Sequence, residues 1–587
     1  MAYTPSMQVQ NLGDVLRRRK KVVPAGLQSV PQLTGGLPVL GHSVEFIRNT
    51  IGLLARAQRE MGEISSFTVF NRKMVAVFGP EAQEAVFRAP DSVLSPNEAY
   101  KIMTPVFGKD IVYDAPPEKM AEQLKMLLPA LKDKRMRTYG EAVVHETEQN
   151  TKEWGEAGVV DFVDFCRVLT NFTSSRCLLG KEFREGMTEE FAAVYHDLEK
   201  GVTPLAYINA HLPIPSFRKR DKARVRMVEM IASVIRARLR DRRQGEDFLQ
   251  TLMESRYSDG RALNEDEITG MLLAGMFAGH HTSSVTTAWT LIELLRNQGY
   301  LARVVAEIDR VFAGGEKVSH GKLRELVETE YAVKEALRLH PPLFMLVRVA
   351  QKDFQYKQWH VPKGSWIVIS PTVAHQIESV FKNPAAFDPD RFAPPREEDK
   401  RDFAYISFGG GRHKCLGNAF AILQIKAIIA LLLGQYEFEL AGDAIDSDFH
   451  GLVVGPKEPC RVKYRRRAQP SVTMNAAAEL SEMASPEAMQ AAMEVHGANG
   501  HTNGTNGHGT ATAKAPAKKL KITLDRDLCQ GHAVCVGEAP DVFRIGKDGR
   551  VELAIDLVGG DLPLSLYGKV HEAAQYCPTR TIKLRYE

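Results

Sequence analysis

Residues 408–417 read FGGGRHKCLG, and a long apolar segment, Asn418 to Leu433, follows them directly. The three consecutive glycines let the backbone turn tightly and approach a flat ligand closely. Cys415 then stands at the start of the predicted helix, where free amide groups and the helix dipole favour a thiolate. An anionic sulfur below a flat cofactor is what an axial haem ligand requires, and Arg412 and His413 could reach haem propionates. The alternative is a buried structural cysteine in a glycine-rich turn.

The composition indicates a large globular chain. With 587 residues, of which 44% are hydrophobic and 25% charged, it can bury a large core in more than one domain. A net charge of +4 gives no indication of nucleic-acid binding, and seven cysteines in this length make no disulfide framework. The first residues lack the apolar core of a signal peptide, and no apolar run reaches membrane-spanning length. We therefore expect a cytoplasmic protein without a transmembrane anchor.

Three segments of different composition divide the chain. Residues 1–466 combine long helical periodicity with short alternating runs, and the runs Ile64–Val69 and Met74–Val77 predict a β-hairpin. Residues 467–518 are rich in Ala, Gly, Asn, His and Thr and cannot bury a core. Their histidines could bind a metal ion, but the composition favours a flexible linker. Residues 519–587 predict a compact second unit of strands around one helix.

A second polar motif lies inside an apolar helical pattern. The helix is expected to begin at the N-cap Asn264, with Glu267 at the capping-box position, and to be buried on nearly all sides. Residues 278–284 read AGHHTSS in its middle. There Thr282 could hydrogen-bond bound oxygen or a water, and His281 could carry protons inward because histidine titrates near neutral pH. The alternative is a polar patch whose hydroxyls bond backbone carbonyls.

A third motif is an ion pair on a helix. Glu335 and Arg338 stand three residues apart in KEALRLHPP, on one helix face, and can pair. The apolar surroundings suggest a buried pair with a structural role near the cysteine loop.

Together these motifs resemble the haem-thiolate monooxygenases, the cytochrome P450 family, over about residues 30 to 466. Asp390–Arg391–Phe392 resembles a further motif of that family. The resemblance implies a mainly α fold with small β-sheets, in which haem b lies between two long helices. It also implies that Cys415 binds the haem iron and that Thr282 and His281 deliver protons during oxygenation.

Within that family, the chain is similar to the sterol 14α-demethylases. The histidine in GHHTSS, the stretch YKIMTPVFGKDIVYD at residues 100–114, EQLKML from Glu122 and the arginine in LVRVA all match that group. The resemblance implies that Tyr100, Lys125, Arg348 and His413 bind the haem.

The same resemblance implies an apolar sterol pocket, although several of its residues could be ordinary core. It is lined by Ile102, Met103, Phe107, Phe277, Ala278, Leu343, Met345 and Leu452. The aliphatic Ile102 suggests a 4,4-dimethyl sterol such as lanosterol. The implied reaction in sterol biosynthesis is three successive oxygenations that remove the 14α-methyl group as formate.

The second unit carries a cysteine pattern. Cys529, His532 and Cys535 precede Cys577, which a proline follows, and this resembles small bacterial ferredoxins. Three thiolates fit a 3Fe-4S cluster; alternatively His532 ligates a fourth iron, as in a 4Fe-4S cluster. A zinc site of three cysteines and one histidine is the competing prediction. We favour the iron–sulfur cluster because an electron carrier explains the fusion to an oxygenase.

The implied partners are a lanosterol-type sterol, molecular oxygen and an external NAD(P)H-dependent ferredoxin reductase, since no dinucleotide fingerprint occurs in the chain. Azole inhibitors are expected to ligate the haem iron. Two other functions remain open at this point. One is hydroxylation of another apolar substrate such as a terpenoid, and the other is a non-enzymatic haem and iron–sulfur sensor.

Overall fold

The computed structural model describes residues 23–70, 72–131, 133–186, 189–202, 206, 209–245, 247–313, 317–442, 445–449, 453–472, 519–529, 534–554, 562–575, 577 and 581–586. The helices of the first unit are Ser43–Arg48, Thr50–Met61, Pro80–Arg88, Asn97–Tyr100, Thr104–Phe107, Pro117–Leu127, Asp133–Thr151, Phe162–Leu179, Lys181–Glu185, Glu189–Lys200, Pro215–Asp241, Phe248–Glu254, Glu265–Arg296, Gln298–Val311, His320–Glu325, Val327–Leu339, Pro371–Ala374 and Asn418–Gln435. The fold is therefore mainly helical, as the sequence predicts.

Two long apolar helices form the centre of the first unit. The central helix, Glu265–Arg296, starts with the predicted capping box between Asn264 and Glu267 and is buried along most of its length. The cysteine helix, Asn418–Gln435, packs against it. Among the described residues it is the one helix long and apolar enough to cross a membrane, but 78% of it is buried inside the protein. Its apolar character therefore serves the core.

The largest sheet lies beside this helical core. Its five strands run in the order Ile64–Val69, Arg72–Val77, Trp366–Ile369, Leu346–Ala350 and Leu94–Ser95. The first two strands form the predicted hairpin, in which Ile64 pairs with Val77. In the antiparallel pair of the third and fourth strands, Arg348 stands opposite Ile367. The sheet therefore holds Arg348 on a rigid strand.

Smaller sheets complete the first unit. They comprise Gln28–Ser29, Trp359–Val361 and Phe354–Tyr356; Tyr436–Leu440, Arg461–Arg466 and Ala157–Asp161; and Ser447–Asp448 with Gly455–Pro456. The strand Ala157–Asp161 lies within residues 118–312, where helical periodicity dominates the sequence. It forms because the distant strand Arg461–Arg466 pairs with it, which local periodicity cannot reveal.

The second unit is a small α+β arrangement around its own core. Its strands are Leu520–Leu524, which pairs with Ile582–Tyr586, and Phe543–Ile545, which pairs with Val551–Leu553. Its helices are Val534–Glu538 and Tyr567–Gln575. A tighter 3₁₀ turn, Leu564–Leu566, directly precedes the second of these helices. The predicted linker, 467–518, lies mostly outside the described residues, so the three-segment organisation stays a prediction.

Candidate functional site

The glycine-rich loop fits its surroundings only because two of its residues lack side chains. A Cβ on Gly411 would lie 2.0 Å from the carbonyl oxygen of Phe87, and one on Gly410 would lie 2.9 Å from the Phe87 ring. Gly411 also has a φ of +62°, which glycine adopts without strain. The loop closes where the Cys415 amide donates to the Phe408 carbonyl at 2.9 Å. These contacts fix the Cys415 backbone directly before the cysteine helix.

Cys415 is exposed as a residue, although many protein atoms surround its thiol. Burial raises its pKa above the ordinary value, while the Gly417 amide and the Lys414 charge oppose that rise. The helix start therefore contributes in the expected direction but does not by itself make the thiolate. A coordinated iron ion would deprotonate the thiol, so the residues fit a metal ligand better than a free nucleophile.

Several predicted haem-binding residues lie in one region with the sulfur. Tyr100 stacks on Tyr113 with ring centroids 4.7 Å apart. Burial raises the pKa of Tyr113 to about 12; Tyr100 adds to this, Arg348 opposes it, and Cys415 also contributes. Arg348 is 7% exposed, donates to the Val347 carbonyl and forms no ion pair with any described residue. A buried cation of this kind fits an anionic propionate. Tyr113 was not among the predicted haem-binding residues, although it lies in the stretch 100–114.

The other two predicted propionate ligands have different surroundings. His413 contacts an acid, with its Nε2 2.7 Å from the Asp91 carboxylate. Lys125 lies exposed on the helix Pro117–Leu127. Their roles at the haem stay predictions.

One face of the central helix is accessible although the helix as a whole is buried. Ala274, Ala278 and Thr282 repeat every four residues along that face, and Ala278 is exposed. A Cβ on the neighbouring Gly279 would lie 3.9 Å from Phe420 of the cysteine helix. The small residues therefore leave space along the helix near the start of the cysteine helix.

The polar residues of this helix form contacts of two kinds. The hydroxyl of Thr282 donates to the Ala278 carbonyl at 2.5 Å, so its oxygen remains free to accept from another donor. His281 Nε2 lies 2.7 Å from the carboxylate of Glu199, on the helix Glu189–Lys200. Burial works to raise the pKa of Glu199, but contacts with His280 and His281 outweigh it and lower that pKa to about 2. Glu199 was not predicted as a site residue, because it lies 82 residues before His281 in the chain and belongs to no recognisable motif.

The predicted substrate residues from the first loop region are mostly buried in apolar clusters. Ile102 packs with Phe217, and Met103 joins the cluster that contains Phe107 and Phe277. The rings of Phe107 and Phe277 meet edge to face with centroids 5.9 Å apart. They place an aromatic surface beside the accessible face of the central helix.

The remaining predicted substrate residues differ in their solvent exposure. Leu343 is 38% exposed, and Met345 is half-buried beside the sheet. Leu452 lies outside the described residues. Whether these residues contact a sterol stays a prediction.

The predicted ion pair of Glu335 and Arg338 is buried, and a third charged residue, Arg391, joins it. Arg338 donates to both oxygens of Glu335 at 2.8 Å, and Arg391 adds a bond of 3.0 Å to the same carboxylate. All three side chains have no solvent exposure. Removal of the shared carboxylate would leave two buried cations unpaired, which agrees with a structural role.

His375 closes this network and supports a prediction about acid stability. Its Nδ1–H donates to the Arg338 carbonyl at 3.1 Å, while its Nε2 accepts from the Ile406 amide at 3.0 Å. Burial, with the nearby Arg338 charge, lowers the pKa of His375 to about 3.

The unfolded chain binds a proton at His375 below about pH 6.5, whereas the folded chain does so only near pH 3. Acidification through this window therefore removes stability. Between pH 7 and pH 5 the wild type should lose about 2 kcal/mol more than a His375→Gln variant, by unfolding in urea. Equal losses in both proteins would contradict this assignment.

The three thiols of the second unit lie together. Burial raises the pKa of Cys535 to about 12, and the charges of Cys577 and Cys529 contribute to the same rise. The Val551 amide donates to the Cys529 sulfur at 3.2 Å, and the Thr581 amide donates to the Cys577 sulfur at 3.4 Å. Such bonds are typical of iron–sulfur ligands.

Three thiols in one place could hold an iron–sulfur cluster or, together with a histidine, a zinc ion. His532 lies outside the described residues.

Among the described residues, three ion pairs join the two units: Arg88 with Asp525 at 2.9 Å, Arg324 with Glu538 at 2.8 Å, and Lys583 with Asp402 at 2.7 Å. In addition, the turn Arg526–Leu528 contacts the turn Gly411–His413 of the glycine-rich loop. Cys529 follows the first turn directly, and Cys415 lies two residues after the second. The two predicted metal ligands therefore stand on either side of this contact.

This combination of a cysteine loop, a buried glutamate–arginine pair and a small-residue face on a central helix defines a known class. Residues 31–464 match the family model described as Cytochrome P450. The protein belongs to this family and is a haem-thiolate monooxygenase. Residues 522–584 match the model described as a 4Fe-4S single cluster domain, so the second unit is a ferredoxin-type domain. Neither match tests the predicted preference for 3Fe-4S.

Relatives of the first unit have sterol-related names. The chain is 41% identical over 450 residues to the sterol 14alpha-demethylase of Mycolicibacterium vanbaalenii, covering 76% of this chain and 99% of the relative. It is 40% identical over 450 residues to the obtusifoliol 14-alpha demethylase of Sorghum bicolor, covering 75% and 92%. A lanosterol 14-alpha demethylase of Bos taurus is 34% identical over 453 residues, covering 76% and 90%.

Two solved structures confirm the fold. The retinoic acid bound cyanobacterial CYP120A1 has a TM-score of 0.66 at 22% identity, with 75% of this chain and all of that chain covered. The cytochrome P450DA heme domain has a TM-score of 0.68 at 20% identity, with 76% and 100% covered. At these identities the likeness concerns the fold alone.

Proposed function

We propose that the protein is a sterol 14α-demethylase, which removes the 14α-methyl group of a lanosterol-type sterol as formate and receives electrons through its ferredoxin domain. The observation that carries the proposal is the accessible face of the central helix, where Ala278 and Thr282 adjoin the aromatic surface of Phe107 and Phe277. Such a lining suits a rigid, nearly all-carbon substrate. The names of the relatives support the same substrate class.

The chain's own residues have separate roles in this proposal. Arg348 and Tyr100 would hold the haem, and Cys415 would bind its iron. When bound, the haem supplies the activation of molecular oxygen, which a thiolate ligand favours. His281 receives a proton from solvent, aided by the Glu199 carboxylate 2.7 Å away, and passes it towards Thr282. The Thr282 hydroxyl donates its own hydrogen to the Ala278 carbonyl. Its oxygen can therefore accept a hydrogen bond from the group that carries the proton.

The contacts between the two units support the electron relay. Cys529 adjoins the turn that touches the glycine-rich loop, so a cluster on Cys529, Cys535 and Cys577 would lie on the Cys415 side of the first unit. Three thiolates suit a 3Fe-4S cluster, whereas a fourth iron would need His532 or another ligand. An external ferredoxin reductase would reduce the cluster, and an azole nitrogen would bind the haem iron.

Turnover of the purified protein with lanosterol, oxygen, NADPH and a ferredoxin reductase tests the proposal. Each sterol should consume three oxygen molecules and six electrons, and should release one formate as a ring double bond forms. Mass analysis should find the demethylated sterol. Accumulation of an alcohol without formate would instead indicate a simple hydroxylase. Absence of substrate-dependent oxygen consumption would favour the sensor alternative.

A further inference from the structure

Two helices bring two imidazoles and one carboxylate together beside the proposed oxygen site. Glu199 lies on Glu189–Lys200, and His280 and His281 lie on the central helix. The Glu199 carboxylate is 2.7 Å from His281 Nε2 and 3.4 Å from His280 Nδ1. One ligand atom from each residue lies within 4.8 Å of the other two.

The surroundings of His280 decide which of its nitrogens carries hydrogen. Its Nε2 lies 2.9 Å from the Arg167 carbonyl, which can only accept, so Nε2 must be the protonated nitrogen. Burial lowers the pKa of His280, and the side chain is 2% exposed, so the neutral ring is favoured. Its bare Nδ1 lone pair therefore faces the Glu199 carboxylate. Two electron-pair donors that face each other in a buried site are a ready position for a cation.

Other polar atoms at this place also lack satisfied hydrogen bonds. His280 Nδ1 is buried without a hydrogen bond of good geometry to any described residue. The buried Tyr195 hydroxyl lies beside the same carboxylate, since burial and Glu199 together raise the pKa of Tyr195. The Glu199 oxygen likewise receives no aligned hydrogen bond, although His281 Nε2 is only 2.7 Å away. Native proteins seldom leave such atoms unsatisfied, so the group of them points to a ligand that the protein atoms themselves do not provide.

We propose that Glu199, His280 and His281 form a binding site for a divalent first-row transition-metal ion, with zinc as the test ion. Two imidazoles and a carboxylate are a common ligand set for such ions. The bond from His280 to the Arg167 carbonyl is the usual way in which a ligating histidine is oriented.

The two distances to the Glu199 carboxylate need only a small adjustment. Zinc bonds of about 2.1 Å at tetrahedral angles separate ligand atoms by roughly 3.4 Å. The pair of His280 and Glu199 already has this spacing, and His281 must move away from the carboxylate by a fraction of an ångström. A water beside Tyr195 would complete four ligands.

Metal binding should change the rate of oxygenation, and this expectation rests on the proposed function. An ion on His281 and Glu199 occupies the groups that the proposed proton route uses, so zinc should slow oxygenation reversibly. A chelator should restore the rate. The site is thus a place where a metal ion regulates the enzyme without contacting the haem.

Calorimetric titration with zinc chloride tests the site, with holoenzyme that contains its haem and its complete iron–sulfur cluster. A background variant in which His496, His501 and His508 are replaced by asparagine removes the linker histidines as competing ligands. It should retain one zinc site. In that background, Glu199→Gln and His281→Ala should each weaken zinc binding at least about tenfold. An unchanged carbon monoxide spectrum of the haem confirms that each variant is folded.

Equal zinc affinity in the Glu199→Gln variant and its background would overturn the site, as would the loss of all zinc binding with the linker histidines. The titration contains no sterol. Zinc binding without lanosterol turnover would therefore refute the proposed substrate alone, and turnover without zinc binding would refute the metal site alone.

Discussion

Replacement of Cys415 with serine is expected to abolish the red-shifted carbon monoxide band that gives the P450 family its name, and with it all turnover. The sulfur is the one side chain of the glycine-rich loop able to bind iron as a polarisable anion. A serine hydroxyl at the same position remains protonated at neutral pH and donates far less electron density. The carbon monoxide difference spectrum of the reduced, purified variant is the measurement.

A cysteine of the other unit provides the matched control. Cys529→Ser removes a predicted cluster ligand, so it should retain the carbon monoxide band and lose the electron paramagnetic resonance signal of the cluster. Cys415→Ser should show the reverse pattern. If Cys415→Ser kept the shifted band, another residue would have to bind the iron, and the assignment of the glycine-rich loop would be wrong.

Local sequence rules predicted the elements that carry the chemistry. The capping box at Asn264 and the glycines before Cys415 act within a few residues, so their geometry follows from local physics. The pairing of Glu335 with Arg338 likewise follows from helical spacing. Fold class and family were therefore accessible from the sequence, and the match to the family confirms them.

Contacts between distant segments were not predicted. Glu199 reaches His281 only because two helices pack side by side, and the third member of the buried network, Arg391, comes from a separate turn. The contact of Arg88 with Asp525 joins residues 437 positions apart. Such contacts depend on tertiary packing, and a single sequence carries no periodicity or motif that records them.

Exchange of the charges of Arg88 and Asp525 tests the electron relay. The arginine donates to both carboxylate oxygens at 2.9 and 3.4 Å. Burial works to raise the pKa of Asp525, but the Arg88 guanidinium outweighs it and the pKa is lowered. In Arg88→Glu or Asp525→Arg, like charges would meet at this contact and disfavour the docked arrangement.

Each single variant should slow haem reduction by the cluster about tenfold, since like charges cost on the order of 1.4 kcal/mol or more at such a contact. The double variant should recover most of the rate. Stopped-flow spectroscopy under carbon monoxide measures the rate of haem reduction. High salt should slow this reduction more in the wild type than in the single variants.

Two control variants distinguish weaker docking of the two units from local disruption of the structure around Arg88. Arg88 also pairs with Glu84 at 2.6 Å, so Arg88→Glu disturbs its own helix, whereas Asp525→Arg leaves that helix intact. Arg240→Glu makes the same charge change at a more exposed arginine, which pairs with its neighbour Asp241 in the described structure, and should leave the rate unchanged. Recovery in the double variant requires direct contact between the two positions, because independent damage would add. If the double variant were as slow as the singles together, electrons would enter the haem unit from a different face.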